Sequence, residues 1–139
     1  MKRKILIVEE NVGLSQIQKA WLSQAGYEAV TAMNEPIARS LIRKTQFDLI
    51  LSDVRLPEGD GISLLEWLRK EKKDIPFIIT TEYVSVPDVV RTIKLGARDY
   101  LPKPVHRDYL LELAEDIFHP VATVRKQERQ LFHRTSPMI

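Results

Sequence analysis

The stretch FDLILSDVRLPEGDG, residues 47–61, reads as a buried strand that stops on a carboxylate, Asp53, before a turn and the start of a helix. Leu49, Ile50 and Leu51 are continuously apolar, which is typical of a strand covered on both faces of a parallel sheet. In open α/β sheets, ligands bind beyond the carboxyl ends of the strands. Asp53 therefore stands where a functional acid is expected.

Three further strand candidates end in chemically useful side chains. They are residues 4–8, followed by Glu9 and Glu10; residues 76–79, followed by Thr80 and Thr81; and residues 99–101, followed by Pro102 and Lys103. The carboxyl ends of parallel strands meet at one edge of a sheet, so these acids, hydroxyls and ammonium should lie together. Together they predict a site for a cation and a phosphate group.

Strand-like and helix-like segments alternate five times along the chain, with a shorter, less apolar strand at 28–31 that suggests a sheet edge. Five helices are expected. The first runs over 12–25, the second begins after the N-cap Asn34, and the third follows Asp60-Gly61 and ends at about Lys73. The fourth ends at Gly96, and the fifth runs over 106–118. This alternation predicts an α/β fold, a doubly wound five-stranded parallel sheet with helices on both faces and a flavodoxin-like topology.

The apolar periodicity of the first two helices predicts which side chains face the sheet. These are Leu14, Ile17, Trp21 and Leu22 on the first helix, and Ile37, Leu41 and Ile42 on the second. Both stripes follow the spacing of an amphipathic helix.

Composition bounds the class of protein. The 139 residues suit one domain, and 44% hydrophobic with 29% charged residues is ordinary for a soluble protein. The absence of cysteine excludes disulfides, thiolate metal sites and a cysteine nucleophile, and it fits a cytoplasmic location. No apolar run approaches the roughly 18 residues that span a bilayer, so no membrane contact is expected.

Charge is uneven along the chain. The net charge is +2, but residues 120–139 hold four basic side chains against one acid, which leaves the first 119 residues slightly acidic. Direct binding of nucleic acid by this chain is therefore not expected. Pro120 should break the fifth helix, and residues 120–139 read as a helical extension or linker.

Four segments taken together resemble bacterial two-component response-regulator receiver domains. They are ILIVEEN (5–11), LILSDVRLPEGDG (49–61), IITT (78–81) and KLGARDYLPKP (94–104). The resemblance covers roughly residues 3–119, so residues 1–119 form the implied receiver domain. The chain is most similar to receivers that precede enhancer-dependent transcription activators, which implies a role in transcription regulation.

The resemblance implies that Asp53 is a phosphoacceptor for a sensor histidine kinase. A carboxylate can attack phosphorus when a divalent cation and a nearby ammonium neutralise the phosphoryl oxygens. The implied cofactor is Mg²⁺, held by Glu10, Asp53 and the backbone carbonyl of Arg55, with Glu9 in a supporting, water-mediated role. The chain would catalyse only its own phosphorylation and dephosphorylation, and it is not expected to be an enzyme acting on a separate substrate.

Three further residues receive roles from the same resemblance. Lys103, aimed by a cis bond to Pro104, would pair with Asp53 at rest and with a phosphoryl oxygen afterwards. The Thr81 hydroxyl would bind the phosphoryl group, and Tyr100 would rotate inward. This changes the surface of the fourth helix, fifth strand and fifth helix, which would signal to an output domain or partner protein, or form a homodimer through the fourth and fifth helices.

Two departures from the family pattern leave an alternative open. After the first strand this chain has Glu9 and Glu10, whereas the family usually has aspartate at the second of these positions and often at the first. The family also usually has a small residue at the position of Glu82. A phosphorylation-independent interaction module with a degraded acidic pocket is the alternative. A flavodoxin-like cofactor binder would need a phosphate loop where Glu9 and Glu10 stand, and a hydrolase would need a substrate-binding cap.

Overall fold

The structure of the chain is a computed structural model that describes residues 2–120. The expected extension at 120–139 lies outside these residues except for Pro120. The elements are β1 (Lys4–Val8), α1 (Val12–Gln24), β2 (Glu28–Ala32), α2 (Glu35–Lys44), β3 (Leu49–Asp53), α3 (Gly61–Lys70), β4 (Phe77–Thr81), α4 (Val86–Lys94), β5 (Asp99–Pro102) and α5 (Arg107–Phe118). Strand and helix alternate throughout, as predicted.

All five strands are parallel, in the order β2-β1-β3-β4-β5. The order reverses between β1 and β3, which is the switch point where ligands bind in sheets of this kind. The register pairs Val8 with Ser52 and Asp53 with Thr80, so the ends of β1, β3 and β4 lie side by side. The predicted fold class is confirmed, and β2 is at an edge as expected.

Alternate strand residues point to opposite faces and build two core layers. Ile5 and Ile7 lie in the layer covered by α1 and α5, whereas Leu6 and Val8 lie in the layer covered by α2 and α3. The side chains at these four positions are essentially inaccessible to solvent. No helix within residues 2–120 has the length and apolarity needed to cross a bilayer.

The structure corrects the predicted inner faces of α1 and α2. Ile17 is 50% exposed and Ile37 is 41% exposed. The predicted inner residues Leu22 and Ile42 are buried, as expected. The other buried positions are Ser15 and Gln18 on α1, and Glu35 and Ala38 on α2.

Two predicted helix ends are also corrected. Helix α3 ends at Lys70, not near Lys73, because the chain turns through Lys72 with φ of 57°. Helix α1 ends at Gln24, one residue before the expected Ala25, and Gly26 follows with φ of 98°. The predicted N-cap of α2 is confirmed, since the Asn34 side chain accepts a hydrogen bond from the Ile37 backbone N–H at 2.9 Å.

Candidate functional site

An open, acidic pocket of about 610 Å³ lies beyond the carboxyl ends of β1, β3 and β5. It is lined by Glu9, Glu10, Asn11, Val12, Leu14, Asp53, Arg55, Glu82, Tyr83 and Lys103. Among these described residues, four carboxylates face two cationic side chains. The excess of negative charge favours binding of a cation.

Lys103 lies at the centre of the pocket between two acids. Its Nζ donates to Asp53 Oδ2 at 3.0 Å and to Glu9 Oε1 at 2.7 Å, and all three side chains are nearly buried. The peptide bond between Lys103 and Pro104 is cis. The predicted pairing of Lys103 with Asp53 is confirmed, as is the cis bond. Because two carboxylates share one ammonium, the trio keeps a net negative charge.

Burial and charge shift the pKa values of this pair. Burial raises the pKa of Asp53, and the nearby Glu9 carboxylate raises it further. The hydrogen bond and charge of Lys103 lower this pKa, as does the backbone N–H of Arg55, but they do not cancel the rise. Burial acts to lower the pKa of Lys103, but its hydrogen bonds to Glu9 and Asp53 outweigh burial and raise that pKa. Lys103 is therefore firmly protonated at neutral pH.

The loop after Asp53 folds back on the strand that carries it. The Arg55 backbone N–H is near enough to the Asp53 carboxylate to lower its pKa, and Arg55 pairs with Asp60 in an isolated antiparallel bridge. The Gly61 N–H closes the loop by donating to the Val54 carbonyl at 2.8 Å. A Cβ at Gly61 would lie 2.2 Å from the backbone oxygen of Asp53, so a side chain at this position would push the loop off the strand.

The two glutamates after β1 lie in different surroundings. Glu9 is buried, and its second carboxylate oxygen accepts from the Asn11 backbone N–H at 3.0 Å. Glu10 is exposed at the rim of the pocket. Glu9, which was expected to support the metal through water, therefore shares the Lys103 ammonium with Asp53.

The donor set suits a hard divalent cation. No group of three or more acidic or histidine side chains within residues 2–120 is gathered into a cluster that could hold a metal. The pocket nevertheless contains carboxylate oxygens, which Mg²⁺ prefers, in Glu9, Glu10 and Asp53, and Arg55 also lines it. Mg²⁺ also keeps several water ligands, so few protein ligands are required.

Within residues 2–120, neither of the two expected switch residues, Thr81 and Tyr100, forms a hydrogen bond with Asp53. Thr81 ends β4 and is buried, and its hydroxyl donates to the Tyr83 carbonyl at 3.0 Å and accepts from the Tyr83 N–H at 3.1 Å. Tyr100 is half-buried, and within residues 2–120 its buried hydroxyl has no hydrogen-bond partner. An unpaired buried hydroxyl costs about 1–3 kcal/mol.

One contact at the mouth of the pocket was not predicted. The Arg55 guanidinium stacks on the Tyr83 ring, 4.8 Å from its centre. Each residue stands two positions after the end of a strand, β3 for Arg55 and β4 for Tyr83, and these strands are neighbours. Because β3 and β4 are neighbours, residues at equivalent positions after them come into contact, so the strand order could have predicted this pair.

Comparison with known proteins identifies the family. Residues 5–115 match the sequence profile of the response regulator receiver domain. The chain is 39% identical over 116 residues to the transcriptional regulatory protein ZraR of Klebsiella oxytoca, a match covering 83% of this chain and 26% of ZraR. It is 30% identical over 140 residues to the response regulator protein PilR of Pseudomonas aeruginosa, covering 99% of this chain and 32% of PilR. The chain thus spans about a quarter to a third of the length of these curated relatives.

Solved structures give the same result. The non-phosphorylated HemR receiver domain of Leptospira biflexa superposes with a TM-score of 0.79 at 35% identity, covering 87% of this chain and 98% of that one. A CheY-like receiver domain protein of Methanospirillum hungatei superposes with a TM-score of 0.80 at 30% identity, covering 94% and 99%. This chain therefore belongs to the family of response regulator receiver domains.

Proposed function

We propose that Asp53 accepts a phosphoryl group from a sensor histidine kinase with the help of Mg²⁺, and that the signal passes through α4, β5 and α5 to an output domain or partner protein. The observation that carries this proposal is the contact of 3.0 Å between Lys103 Nζ and Asp53 Oδ2 inside an acidic pocket. At the switch point of the sheet, the carboxylate can act as the nucleophile, and the protonated amine beside it can neutralise negative charge on the phosphoryl group.

In the proposed transfer, a carboxylate oxygen of Asp53 forms the new bond to phosphorus. The bond from phosphorus to the donor histidine nitrogen breaks, and its electron pair stays on that nitrogen. Lys103 then follows the negative charge from the carboxylate to a phosphoryl oxygen. A bound Mg²⁺, held by oxygens of Glu9, Glu10, Asp53 and Arg55, would neutralise phosphoryl charge. The chain acts only on its own carboxylate and on no separate substrate.

The proposed response begins at Thr81. Its hydroxyl exchanges the hydrogen bond to the Tyr83 carbonyl for one to the phosphoryl group, which releases the loop before α4. Tyr100 lines a cavity of about 460 Å³ beside α4 together with Val84 and Ile93, so a shift of this loop changes the space around the tyrosine. Its unpaired hydroxyl leaves no hydrogen bond to break when the ring moves.

The outer face of α4 supports the proposed readout. Val86, Val90 and Ile93 are all exposed on this helix, although apolar side chains of this size usually pack in a core. We include in the proposal that this surface docks the output domain or partner, or a second copy of the chain. Sedimentation of the phosphorylated and unphosphorylated forms measures whether a second copy of the chain binds.

The phosphoacceptor role is tested by intact mass after incubation with acetyl phosphate, with and without Mg²⁺. The expected result is a single phosphoryl adduct that requires Mg²⁺ and is absent from Asp53→Asn. Lys103→Met should bind Mg²⁺ and form the adduct much more slowly, because the ammonium is lost. Absence of an adduct at high donor and metal concentration would overturn the proposal and favour a phosphorylation-independent module.

Metal binding is tested separately by calorimetric titration with Mg²⁺. Wild type is expected to bind, and Asp53→Asn to bind more weakly because one anionic ligand is lost. Glu71→Gln, an exposed carboxylate at the C-cap of α3, is the matched control and should bind like wild type. Equal binding by wild type and Asp53→Asn would place the cation outside this pocket.

A further inference from the structure

Glu35, at the start of α2, is a buried carboxylate that the proposed chemistry does not use. It is 4% exposed, and acids are rarely buried unless they are paired. Its Oε1 accepts from the Asp60 backbone N–H at 3.0 Å, and its Oε2 accepts from the Ser63 hydroxyl at 3.2 Å and from the Arg39 guanidinium. Three donors from two separate parts of the chain therefore converge on this one side chain.

These contacts hold the outer end of the loop that follows Asp53. The Glu35 backbone N–H donates to the Glu58 carbonyl at 3.1 Å, so both the side chain and the backbone of Glu35 bind the loop. Gly59 passes directly against the carboxylate with φ of 76°, and a Cβ there would lie 2.2 Å from Glu35 Oε1. The loop and the carboxylate are packed without room for a side chain between them.

A continuous path of contacts connects Glu35 to the phosphoacceptor. Glu35 binds the N–H of Asp60, and Asp60 pairs with Arg55 in the antiparallel bridge. Arg55 is two residues from Asp53, and its N–H is near enough to the Asp53 carboxylate to lower its pKa. Glu35 itself is not among the residues that line the acidic pocket. Its influence on Asp53 is therefore transmitted through the loop.

We propose that Glu35 is a positioning residue: by holding Asp60 it sets where the Arg55 backbone lies against Asp53, and so aligns the carboxylate for phosphoryl transfer. This inference rests on the proposed phosphorylation of Asp53. Displacement by about 1 Å through a distant substitution can slow a positioned reaction by up to about 100-fold. An ionised carboxylate suits this place because it is a pure acceptor and all of its neighbours here are donors.

Two double variants isolate the contact with Asp60. Both carry Arg39→Met, which removes the guanidinium; one adds Glu35→Gln and the other Glu35→Met. Glutamine can still accept from the Asp60 N–H with its amide oxygen, whereas methionine fills a similar volume without an acceptor. Both variants lose the ion pair with Arg39, so they differ mainly in the acceptor that holds the loop.

Two readouts are compared, and the first does not depend on phosphorylation. In protein free of Mg²⁺ and phosphate, amide hydrogen exchange at Arg55 should rise about tenfold or more in the methionine variant and stay within about threefold of wild type in the glutamine variant. The Mg²⁺-dependent rate of Asp53 phosphorylation by acetyl phosphate should fall about tenfold in the methionine variant and far less in the glutamine variant.

A stability-matched control separates positioning from general destabilisation. Ile42→Val, also on α2, should lose about 1 kcal/mol of stability yet change neither readout by more than about twofold. If the two double variants match each other in exchange at Arg55 and in rate, the positioning role is overturned. If wild type is not phosphorylated at all, the proposed function fails, and exchange at Arg55 still decides whether Glu35 fixes the loop.

Discussion

Helices α3 and α4 follow neighbouring strands and are nearly equal in length, at 10 and 9 residues, yet they are held very differently. Five residues of α3 are buried, whereas Thr92 is the one buried residue of α4. The loop before α3 is held by Glu35, while the loop before α4 is held at Thr81 by its hydrogen bonds with Tyr83. The molecule thus has a fixed half, with α3, that places Asp53, the proposed phosphoacceptor, and a loosely held half, with α4, that can respond.

The attachment of α4 is concentrated towards its carboxyl end. Arg69 of α3 donates to the Leu95 carbonyl at 2.7 Å, and Arg91 forms an exposed ion pair with Glu66. The amino-terminal turn of α4 instead presents the exposed Val86 to solvent. Elements with few buried contacts open at lower free energy than the core, so the amino-terminal part of α4 is expected to be the first part to move.

The largest expected effect is in the fixed half. Leu65→Ala should lower the free energy of unfolding by about 3 kcal/mol, because Leu65 is inaccessible to solvent in α3 and its loss leaves a cavity under the sheet. Urea denaturation followed by circular dichroism measures this change. A loss below about 1 kcal/mol would mean that the site collapses easily and that α3 is not the rigid element inferred here.

The N-cap hydrogen bonds of α3 and α4 differ in the same direction. The Asp60 carboxylate accepts from the Ser63 N–H at 2.6 Å at the start of α3, whereas the Ser85 hydroxyl accepts from the Asp88 N–H at 3.4 Å at the start of α4. Asp60→Ala should therefore cost about 2 kcal/mol and Ser85→Ala about 0.5 kcal/mol, the two ends of the range for N-caps. Urea denaturation of both variants gives the values, and equal costs would contradict the division into two halves.

The sequence predicted the sheet because the sheet depends on local patterns. The apolar strands and the polar residues after them placed Asp53 and Lys103 at the same edge of the sheet, and the resemblance to receiver domains implied their direct pairing. The predicted inner face of α1 was right at Leu22 and wrong at Ile17, which is 50% exposed, whereas the adjacent Gln18 is buried. A one-residue change of position rotates a helix face by about 100°, since there are about 3.6 residues per turn.

The role of Glu35 could not be read from the sequence. Its partners Asp60 and Ser63 lie 25 and 28 residues further along the chain, and no periodicity connects them. The same holds for the exposed apolar surface of α4, where Val90 and Ile93 have the spacing of a core stripe but remain in contact with solvent. Sequence patterns identify an amphipathic helix without showing what covers its apolar face.

Removal of the Asp53 charge should stabilise the fold near neutral pH. Burial raises the pKa of Asp53, so the native state binds this proton more tightly than the unfolded state does. Wild type therefore loses stability as pH rises from the ordinary value of 3.8 through the higher native pKa. Asp53→Asn avoids this loss, and Lys103 keeps Glu9 as a partner, so the variant should be more stable than wild type above that window.

Urea denaturation of wild type and Asp53→Asn across this pH range tests the sign. The advantage of the variant should vanish below pH 3.8, where the carboxyl group is protonated in both states. Asp48→Asn, a half-buried acid at the opposite end of β3, is the control and should not show this gain, because Asp48 accepts from the Lys4 N–H at 2.8 Å. A variant that is less stable than wild type near neutral pH would show that the ion pair with Lys103 outweighs burial.

The smallest effect is expected on α4, where Ile93 is 63% exposed. Ile93→Ala should change the free energy of unfolding by less than about 0.5 kcal/mol, since little apolar surface is lost from the core and alanine favours the helix. Ile42→Ala on α2 is the same chemical change at a buried position and should cost about 3 kcal/mol. If Ile93→Ala were as costly as Ile42→Ala in urea denaturation, α4 would be packed as firmly as the fixed half, and a displacement of α4 could not carry the signal.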